Sequence, residues 1–207
     1  KEMLVPALPD FGEDGIATGS WDNPWRNCSG VVAGHDIGKR QHPAHFAVFA
    51  CLRRPTPDGK GKLKSSKAGH LVQIHQKWMD GWDYTRQNEY HKQAVDYFGL
   101  DSIWIDNTRG EFDSLDEMGQ LPSQSELVSL SGGTKGEMAG YLDVFSGAGR
   151  VKLLNDGRQK RQLTVVTQDL DAVETNEGHG EPFTSVGLAL MASQKRNWGS
   201  SFGTLEM

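Results

Sequence analysis

The chain has 207 residues, of which 36% are hydrophobic and 24% are charged, and its formal net charge is −5. This length is enough for one substantial core and too short for two ordinary domains with a linker, so we expect a single domain over 1–207. No apolar run approaches the roughly 20 residues that a bilayer-spanning helix needs, which argues against a membrane protein. The negative charge argues mildly against a protein that only coats nucleic acid, but it leaves room for a nuclease whose acidic residues hold cations.

Residues 1–29 predict an irregular arm. They contain three prolines and the tryptophans Trp21 and Trp25, and they lack helical or strand periodicity. Tryptophans in such an arm more often anchor it than bind a ligand. At the other end, the glycine- and serine-rich segment over 193–207 is interpreted as a tail, and the sequence as a piece cut from a longer chain. Cys28 and Cys51 follow no metal-ligand spacing, which favours structural roles in a reducing cytoplasm.

An apolar strand that ends on an acid opens the regular part of the chain. The stretch 31–38, VVAGHDIG, predicts a central buried strand that brings Asp36 to the edge of a sheet, with Gly38 turning the chain away to leave space beside the acid. The stretches 45–52 and 70–78 predict two further strands, and a hairpin joins the first of these to the opening strand. Four lysines and two arginines lie between these strands, over 53–69, where we expect a solvated loop, with a DNA-facing basic finger as the alternative.

The pattern then changes to an alternation of helices and strands. Asp83 is a good N-cap for a helix that runs to about Phe98 and ends at Gly99. The fourth predicted strand, 102–105, again finishes on a carboxylate, Asp106. The remaining expected elements are a loop from 112, a strand over 126–130, a helix that follows residues 132–134 and runs through 141–145, an extended piece over 150–154 and a helix over 156–166. This order indicates an α/β fold with a sheet of mixed direction.

Three acids occupy comparable ends of these elements. Asp36 and Asp106 end two strands, and Glu181 precedes Pro182, which marks a helix start. If the first and fourth strands are parallel neighbours, Asp36 and Asp106 lie side by side at one sheet edge, and Glu181 closes the site. Such acids suit two hard divalent cations about 4 Å apart, one activating water and the other stabilising the leaving oxygen of a phosphodiester. Because no cysteine or histidine cluster favours zinc, we expect Mg²⁺ or Mn²⁺.

Residues close to these acids form a second rank of candidates. Glu111 is a further candidate ligand, and His179 is placed to orient water or to contact phosphate; Asp171 is also of this rank. Glu174 and Glu177 are interpreted as solvated loop residues, and His42 and His45 as structural. The cations nearest to the predicted site are candidates for contacts to the DNA backbone: Lys39, Arg40, Lys77 and Arg109. A surface ion pair is the equal alternative for Arg109.

Other enzyme classes lack their sequence signatures. The chain has no GxxxxGK[ST] phosphate-binding loop, which argues against a nucleotide-hydrolysing motor within it. It also has no GxSxG, HExxH or CxxC motif.

Four segments, in this order, resemble one protein family. They are GHDIGKRQHPAHFAVF, LVQIHQKWMDGWDYTRQNEYHKQAV, IWIDNTRGEF and DLDAVETNEGHGEPFTSVGLAL. Over about 31 to 192 the chain resembles the C-terminal nuclease domain of the large terminase subunit of tailed bacteriophages. The resemblance implies a ribonuclease H-like core over 30–192, with a mixed sheet of five or more strands flanked by helices. It also implies a metal-dependent endonuclease that cuts concatemeric viral DNA during packaging into a procapsid.

The resemblance assigns the catalytic, metal-binding acids to Asp36, Asp106 and Glu181. Glu181 departs from the family pattern, in which the third acid is usually an aspartate, one methylene shorter. The implied cofactors are two divalent ions, Mg²⁺ or Mn²⁺, and the implied substrate is double-stranded DNA. The implied partners are an N-terminal packaging ATPase domain, the portal and the small terminase subunit. The implied location is the host cytoplasm, transiently at the procapsid portal, and not the mature virion.

Two alternatives stay open at this stage. A Holliday-junction resolvase-like nuclease would share the fold class but would prefer branched DNA. A non-catalytic domain that binds DNA or a partner would use Trp21 and Trp25, or the basic loop over 53–67. Such a domain would bind without metal and would be indifferent to a change at Asp36.

Overall fold

A mixed sheet of six strands organises residues 28–38, 42–52 and 70–195, which are the residues that the computed structural model describes. The strand order is β5-β4-β1-β2-β3-β6. The strands are β1 Cys28–Asp36, β2 Ala44–Leu52, β3 His70–Met79, β4 Ser102–Asp106, β5 Ser125–Val128 and β6 Val151–Lys152. The helices are α1 Tyr84–Phe98, α2 Asp113–Glu117, α3 Gly132–Gly147, α4 Gly157–Thr164 and α5 Glu181–Lys195. Of these described helices, none is long and apolar enough to cross a bilayer.

Several predicted features lie outside the described residues. They are the arm over 1–27 with Trp21 and Trp25, the basic loop over 53–69, Lys39 and Arg40, and the chain from 196 onward.

The predicted elements are present, most of them with boundaries that differ by one or two residues. Three differences are larger. The strand β1 begins at Cys28, so residues 28 and 29 belong to the sheet and not to the arm. The helix α5 continues to Lys195, three residues beyond the predicted end of the core. The helix α2 lies where a loop is predicted, because five residues with a single buried side chain, Leu115, are too few to show a helical period. Cys28 and Cys51 are not joined by a disulfide.

The pairing of β1 places two strand ends side by side. It runs antiparallel to β2 and parallel to β4, with His35 opposite Ile105. Asp36 and Asp106 follow these two residues, so both acids lie at the same edge of the sheet. Side chains alternate along the strand: Val31 and Ala33 pack into the cluster beneath α1, whereas Val32 packs into the cluster beneath α5. Asp36, at an even position, therefore faces the side on which α5 lies.

The helix α5 lies directly on β1 because Gly34 carries no side chain. A Cβ at position 34 would lie 1.9 Å from the carbonyl oxygen of Ser185 and 2.7 Å from the amide nitrogen of Ala189. The helix is buried along nearly its whole length, which is typical of a helix that is apolar all round. The hydroxyl of Ser185 also lies 2.6 Å from Nδ1 of the buried His45 on β2, so α5 is bonded to a second strand.

We expect Gly34→Ala to lower the free energy of unfolding by at least about 2 kcal/mol, because α5 must shift to make room for the new methyl group. Gly140→Ala on the exposed face of α3 is the matched control, since a Cβ at position 140 meets no atom within 4 Å. That control should stabilise by up to about 1 kcal/mol, because alanine is the better helix former. Urea titration measures both values, and equal effects at the two positions would contradict the close contact.

Gly38 has a different role from the predicted one. A Cβ at this position would lie 2.2 Å from the amide nitrogen of Ala44 and 2.2 Å from the carbonyl carbon of Pro43. The glycine is therefore required where the chain passes close to its own backbone, and not to leave space beside Asp36. Its carbonyl oxygen also accepts a hydrogen bond from the side-chain amide of Gln87 on α1.

Candidate active site

The carboxyl groups of Asp36 and Asp106 lie close enough to interact: besides burial, the charge of Asp106 contributes to the raised pKa of Asp36. Asp36 is buried and Asp106 is partly buried. Burial raises the pKa of Asp36 well above its usual value, and the neighbouring charges of Asp106 and Glu181 raise it further. Burial also raises the pKa of Asp106, while two hydrogen bonds from Thr108 oppose that rise. The pair concentrates negative charge that is neutralised either by a shared proton or by a cation.

The turn after β4 fixes the position of Asp106. Its Oδ1 accepts hydrogen bonds from the amide of Thr108 at 2.9 Å and from the hydroxyl of Thr108 at 2.5 Å. The side chain of Asn107 closes the same turn, because its Oδ1 accepts the amide of Phe112 and its amide group donates to Asp113. The turn is therefore bonded internally before any ligand arrives.

Glu181 is the first residue of α5, as predicted, but its carboxylate is bonded to its own loop. The two oxygens accept the amide of His179 at 3.1 and 3.0 Å, and Oε1 lies 2.8 Å from Nδ1 of the same histidine. This hydrogen bond raises the pKa of His179. Gly178, at φ 143°, has no side chain to obstruct this arrangement, since a Cβ there would lie 2.3 Å from Oε2 of Glu181.

The carboxylate of Glu181 does not face the cleft, so the three predicted acids do not converge on one point. Its side chain is 1% exposed, and it is not among the described residues that line the cleft beside Asp36. Among the residues that the structure describes, no three His, Cys, Asp or Glu side chains stand together as a metal-binding group. A cation held by all three acids would require Glu181 to exchange His179 for that cation.

A cleft of about 600 Å³ opens over Asp36 and Asp106. The structure brings several of the predicted site residues together here, namely Asp36, Asp106, Glu111, Asp171, Arg109 and His179. Glu174, interpreted from sequence as a solvated loop residue, is exposed and also lines the cleft. Lys77 is not one of the described lining residues, and its Nζ lies 5.4 Å from the centroid of the Trp82 ring.

The lining residues that were not predicted as site residues include Lys135, His42 and Thr108. The charge of Lys135, on α3, opposes the rise in the pKa of Asp36. The ring of His42 is stacked on that of His179, with centroids 4.5 Å apart. A hydroxyl residue two positions after a strand-terminal aspartate was a local signal for Thr108, whereas Lys135 belongs to no recognisable motif.

The helix α4 holds the loop that precedes Glu181. The guanidinium of Arg158 donates two hydrogen bonds to Asp80, at the end of β3, and two to the carbonyl oxygen of Glu177. Arg161 forms an ion pair with the carboxylate of Glu177, which lowers the pKa of that acid. Glu177 is thus ion-paired, although the sequence predicts only a solvated residue.

A second attachment of this loop is buried. The side-chain oxygen of Gln162 accepts the amide of Gly180 at 2.9 Å, and its amide group donates to Thr175 at 2.7 Å. Gln162 is 1% exposed and its bond to Gly180 is shielded from water, whereas Thr175 lies at the surface. Because Gly180 immediately precedes Glu181, the start of α5 is fixed from the α4 side as well as from β1.

The chemistry of the acids fits a hard divalent cation. Asp36 and Asp106 offer only oxygen donors, and oxygen is the donor type that Mg²⁺ and Mn²⁺ prefer. Two adjacent, partly or fully buried carboxyl groups with raised pKa values would gain most from a nearby positive charge. The cations Arg109 and Lys135 stand on the same cleft, where a phosphate group could be held.

Comparisons with known proteins give similarity in structure alone. No family model matches the chain, and no curated protein matches its sequence. The structure of the large terminase nuclease from thermophilic phage G20c is 19% identical in sequence, with a TM-score of 0.56 over 78% of this chain and 81% of that one. The nuclease domain of the large terminase subunit gp2 of bacterial virus Sf6 is 10% identical, with a TM-score of 0.51 over 81% of this chain and 90% of that one.

The chain is also similar to part of a longer protein. It matches the large terminase of bacteriophage HK97 at 12% identity and a TM-score of 0.51, over 79% of this chain but only 39% of that one. The mixed sheet flanked by helices agrees with the predicted architecture. This chain therefore has the ribonuclease H-like α/β fold of the nuclease domains of phage large terminases.

Proposed function

We propose that this chain is a metal-dependent DNA endonuclease domain that cleaves concatemeric phage DNA during genome packaging. One observation carries the proposal: Asp36 and Asp106 form a carboxyl pair at the ends of adjacent parallel strands, within the fold of terminase nucleases. The nearby N-terminus of α5 supplies Glu181 as the third acid. Acids that converge at the ends of parallel strands are a common way to build a ligand site in α/β proteins.

The proposed cofactors are two divalent ions, Mg²⁺ or Mn²⁺. Structures of the G20c large terminase nuclease contain bound magnesium, zinc or cobalt, which supports a divalent cation for a domain of this fold. Asp36 would be shared between the two ions, Asp106 and Glu181 would complete their ligands, and Glu111 is a further candidate. Bound there, the ions would activate water and stabilise the leaving oxygen of the phosphodiester.

The protein's own groups then have separate tasks. Asp36 and Asp106 would hold the cation, whose charge would favour the ionised form of both carboxyl groups. His179 holds the carboxylate of Glu181 until a cation takes its place. It is also the residue that we propose to orient water or to contact phosphate. Arg109 and Lys135 face the cleft, where they would hold the DNA backbone. Lys39 and Arg40, outside the described residues, remain proposed DNA contacts, whereas the position of Lys77 beside Trp82 makes it a weaker candidate.

The proposed setting is the packaging motor. The chain matches only part of the HK97 large terminase, which supports a domain that works within a longer protein. We therefore propose an N-terminal packaging ATPase domain, the portal and the small terminase subunit as partners, with double-stranded DNA as the substrate. The proposed location is the host cytoplasm, transiently at the procapsid portal, and not the mature virion.

Incubation with supercoiled plasmid tests the proposed activity. The full chain should convert the plasmid to nicked and linear forms in millimolar Mg²⁺ or Mn²⁺, and it should leave the plasmid intact in EDTA. DNA binding that is the same with and without metal, and never followed by cleavage, would instead indicate a non-catalytic binding domain.

A parallel assay with a four-way junction and a linear duplex of equal length tests the resolvase alternative. A packaging endonuclease should cut the linear duplex at least as well as the junction. Symmetrical cuts near the branch point, with the linear duplex spared, would favour a junction resolvase.

A further inference from the structure

The hydroxyl group of Thr108 lies between Asp106 and the loop that follows β5. It donates a hydrogen bond to Oδ1 of Asp106 at 2.5 Å and accepts one from the amide of Leu130 at 2.8 Å. The amide of Thr108 donates a second bond to the same Oδ1, at 2.9 Å. Thr108 therefore connects the acid at the end of β4 to the backbone beyond the neighbouring strand, 22 residues away in the sequence.

The two partners together fix the orientation of this hydroxyl. A threonine hydroxyl has one proton to donate, and here that proton is given to Asp106. The amide of Leu130 occupies one of its lone pairs, so rotation of the O–H bond would break a contact on either side. A hydroxyl bonded to a carboxylate at this short distance is among the stronger hydrogen bonds in proteins.

Both bonds from Thr108 end on Oδ1. They set the plane of the Asp106 carboxylate without using Oδ2, which leaves that oxygen to other partners. A carboxylate on the last residue of a strand is otherwise able to rotate about its side-chain bonds, and ordering it costs conformational entropy when a ligand binds. A side chain that has already fixed the carboxylate removes much of that cost.

From this geometry we propose that Thr108 is a positioning residue, which holds Asp106 in the orientation that binds the cation, with the loop after β5 as its support. The inference rests on the proposed function, because it takes Asp106 to be a metal ligand. It adds a residue that acts on the cation through Asp106, the carboxylate to which its hydroxyl and its amide are bonded.

Replacement of the hydroxyl separates this role from packing. Thr108→Val keeps the shape of the side chain and removes the hydroxyl, Thr108→Ala removes hydroxyl and methyl together, and Thr108→Ser restores the hydroxyl alone. Because Thr108 is exposed, none of these changes alters the core. Thr164→Val is the matched control, since that exposed hydroxyl bonds only to the carbonyl oxygen of Arg161 within α4.

Titration calorimetry with Mn²⁺ as the probe gives the decisive measurement, with the unfolding temperature in EDTA as the check on folding. Thr108→Val and Thr108→Ala should weaken Mn²⁺ binding by about 10- to 100-fold, the usual effect of removing a partner that orients a metal ligand. The Mn²⁺ concentration for half-maximal plasmid cleavage should rise by the same factor, while the rate at saturating Mn²⁺ stays close to that of the wild type. Thr108→Ser and Thr164→Val should bind Mn²⁺ like the wild type.

Two results would overturn the inference while leaving the proposed function in place. One is wild-type Mn²⁺ binding by Thr108→Val in a protein whose cleavage needs metal. The other is a serine variant as weak as the valine variant, which would assign the effect to the lost methyl group. A wild-type protein that binds no Mn²⁺ and cuts no DNA would contradict the proposed function itself, and this inference with it.

Discussion

Asp36→Asn is expected to abolish metal-dependent DNA cleavage and, at the same time, to raise the melting temperature of the metal-free protein. Asparagine keeps the size of the side chain but cannot supply the negative charge that the cation needs. Since partners of metal ligands typically contribute 10- to 100-fold, loss of the central ligand should lower cleavage by more than about 100-fold. The gain in stability follows from burial, because Asp36 is enclosed beside the charges of Asp106 and Glu181, and asparagine removes that repulsion.

Two measurements check this pair of effects. Plasmid cleavage is followed in Mn²⁺, and the melting temperature is followed in EDTA, where each kcal/mol of relieved repulsion should appear as about 2–4 °C. Asp143→Asn, on the exposed side of α3, is the control and should change neither quantity. Addition of Mn²⁺ should stabilise the wild type but not the Asp36 variant, because a ligand stabilises only the fold that binds it. A variant that cuts DNA at the wild-type rate, or that melts at a lower temperature in EDTA, would contradict the proposed role of Asp36.

Acidification from pH 7 to pH 5 is expected to destabilise the protein steeply. Burial lowers the pKa of His45 to about 4 and the pKa values of His75 and His91 to about 3, and it lowers that of His35 well below its usual range. In the unfolded chain these groups titrate near pH 6.5. Between about pH 6.5 and pH 4 the unfolded chain therefore binds protons that the folded protein does not, and the folded state loses up to about 1.4 kcal/mol per pH unit for each histidine.

The two carboxyl groups of the site act in the opposite direction. The pKa values of Asp36 and Asp106 are raised on folding, so as the pH falls the folded protein takes up these protons before the unfolded chain does. The pKa of His179 is also raised, so this histidine acts in the same direction as the two carboxyl groups. The four buried histidines outnumber these three groups, and we expect the net effect of acid to be destabilising. Urea titrations at pH 7, 6 and 5 measure it.

The variant His75→Gln isolates one of these histidines. Its free energy of unfolding should fall less steeply with acidification than that of the wild type, because one buried imidazole has been removed. A free energy of unfolding that is constant from pH 7 to pH 5 would show that the histidines are not buried as neutral groups.

The pairing of Asp36 with Asp106 could be predicted because it follows from local patterns. Two apolar runs that each end on an aspartate predict two buried strands, and parallel strands end at the same edge of a sheet. The structure confirms the condition on which this depended, since β1 and β4 are parallel neighbours. The start of α5 could also be predicted from a local signal, because a proline follows Glu181 directly.

The supports of the site could not be predicted, because they join segments that are distant in sequence. Thr108 accepts a bond from Leu130, Gln162 accepts one from Gly180, and Arg158 bonds to Asp80. Each bond exists only after the sheet and helices have brought the segments together. The direction of the Glu181 carboxylate was also beyond sequence analysis, because it depends on Gly178 at a positive φ and on the ring of His179.

The contact of α5 with Gly34 joins two of the proposed site acids in one rigid unit, to which the cations of the cleft do not belong. Asp36 is two residues beyond Gly34 on β1, and Glu181 is one helical turn before Ser185 on α5, so a single backbone contact holds both acids in one body. The cations Arg109 and Lys135 belong instead to a turn and to a separate helix. Substitutions of Arg109 or Lys135 should therefore alter the proposed contacts to DNA while the spacing between Asp36 and Glu181 is preserved.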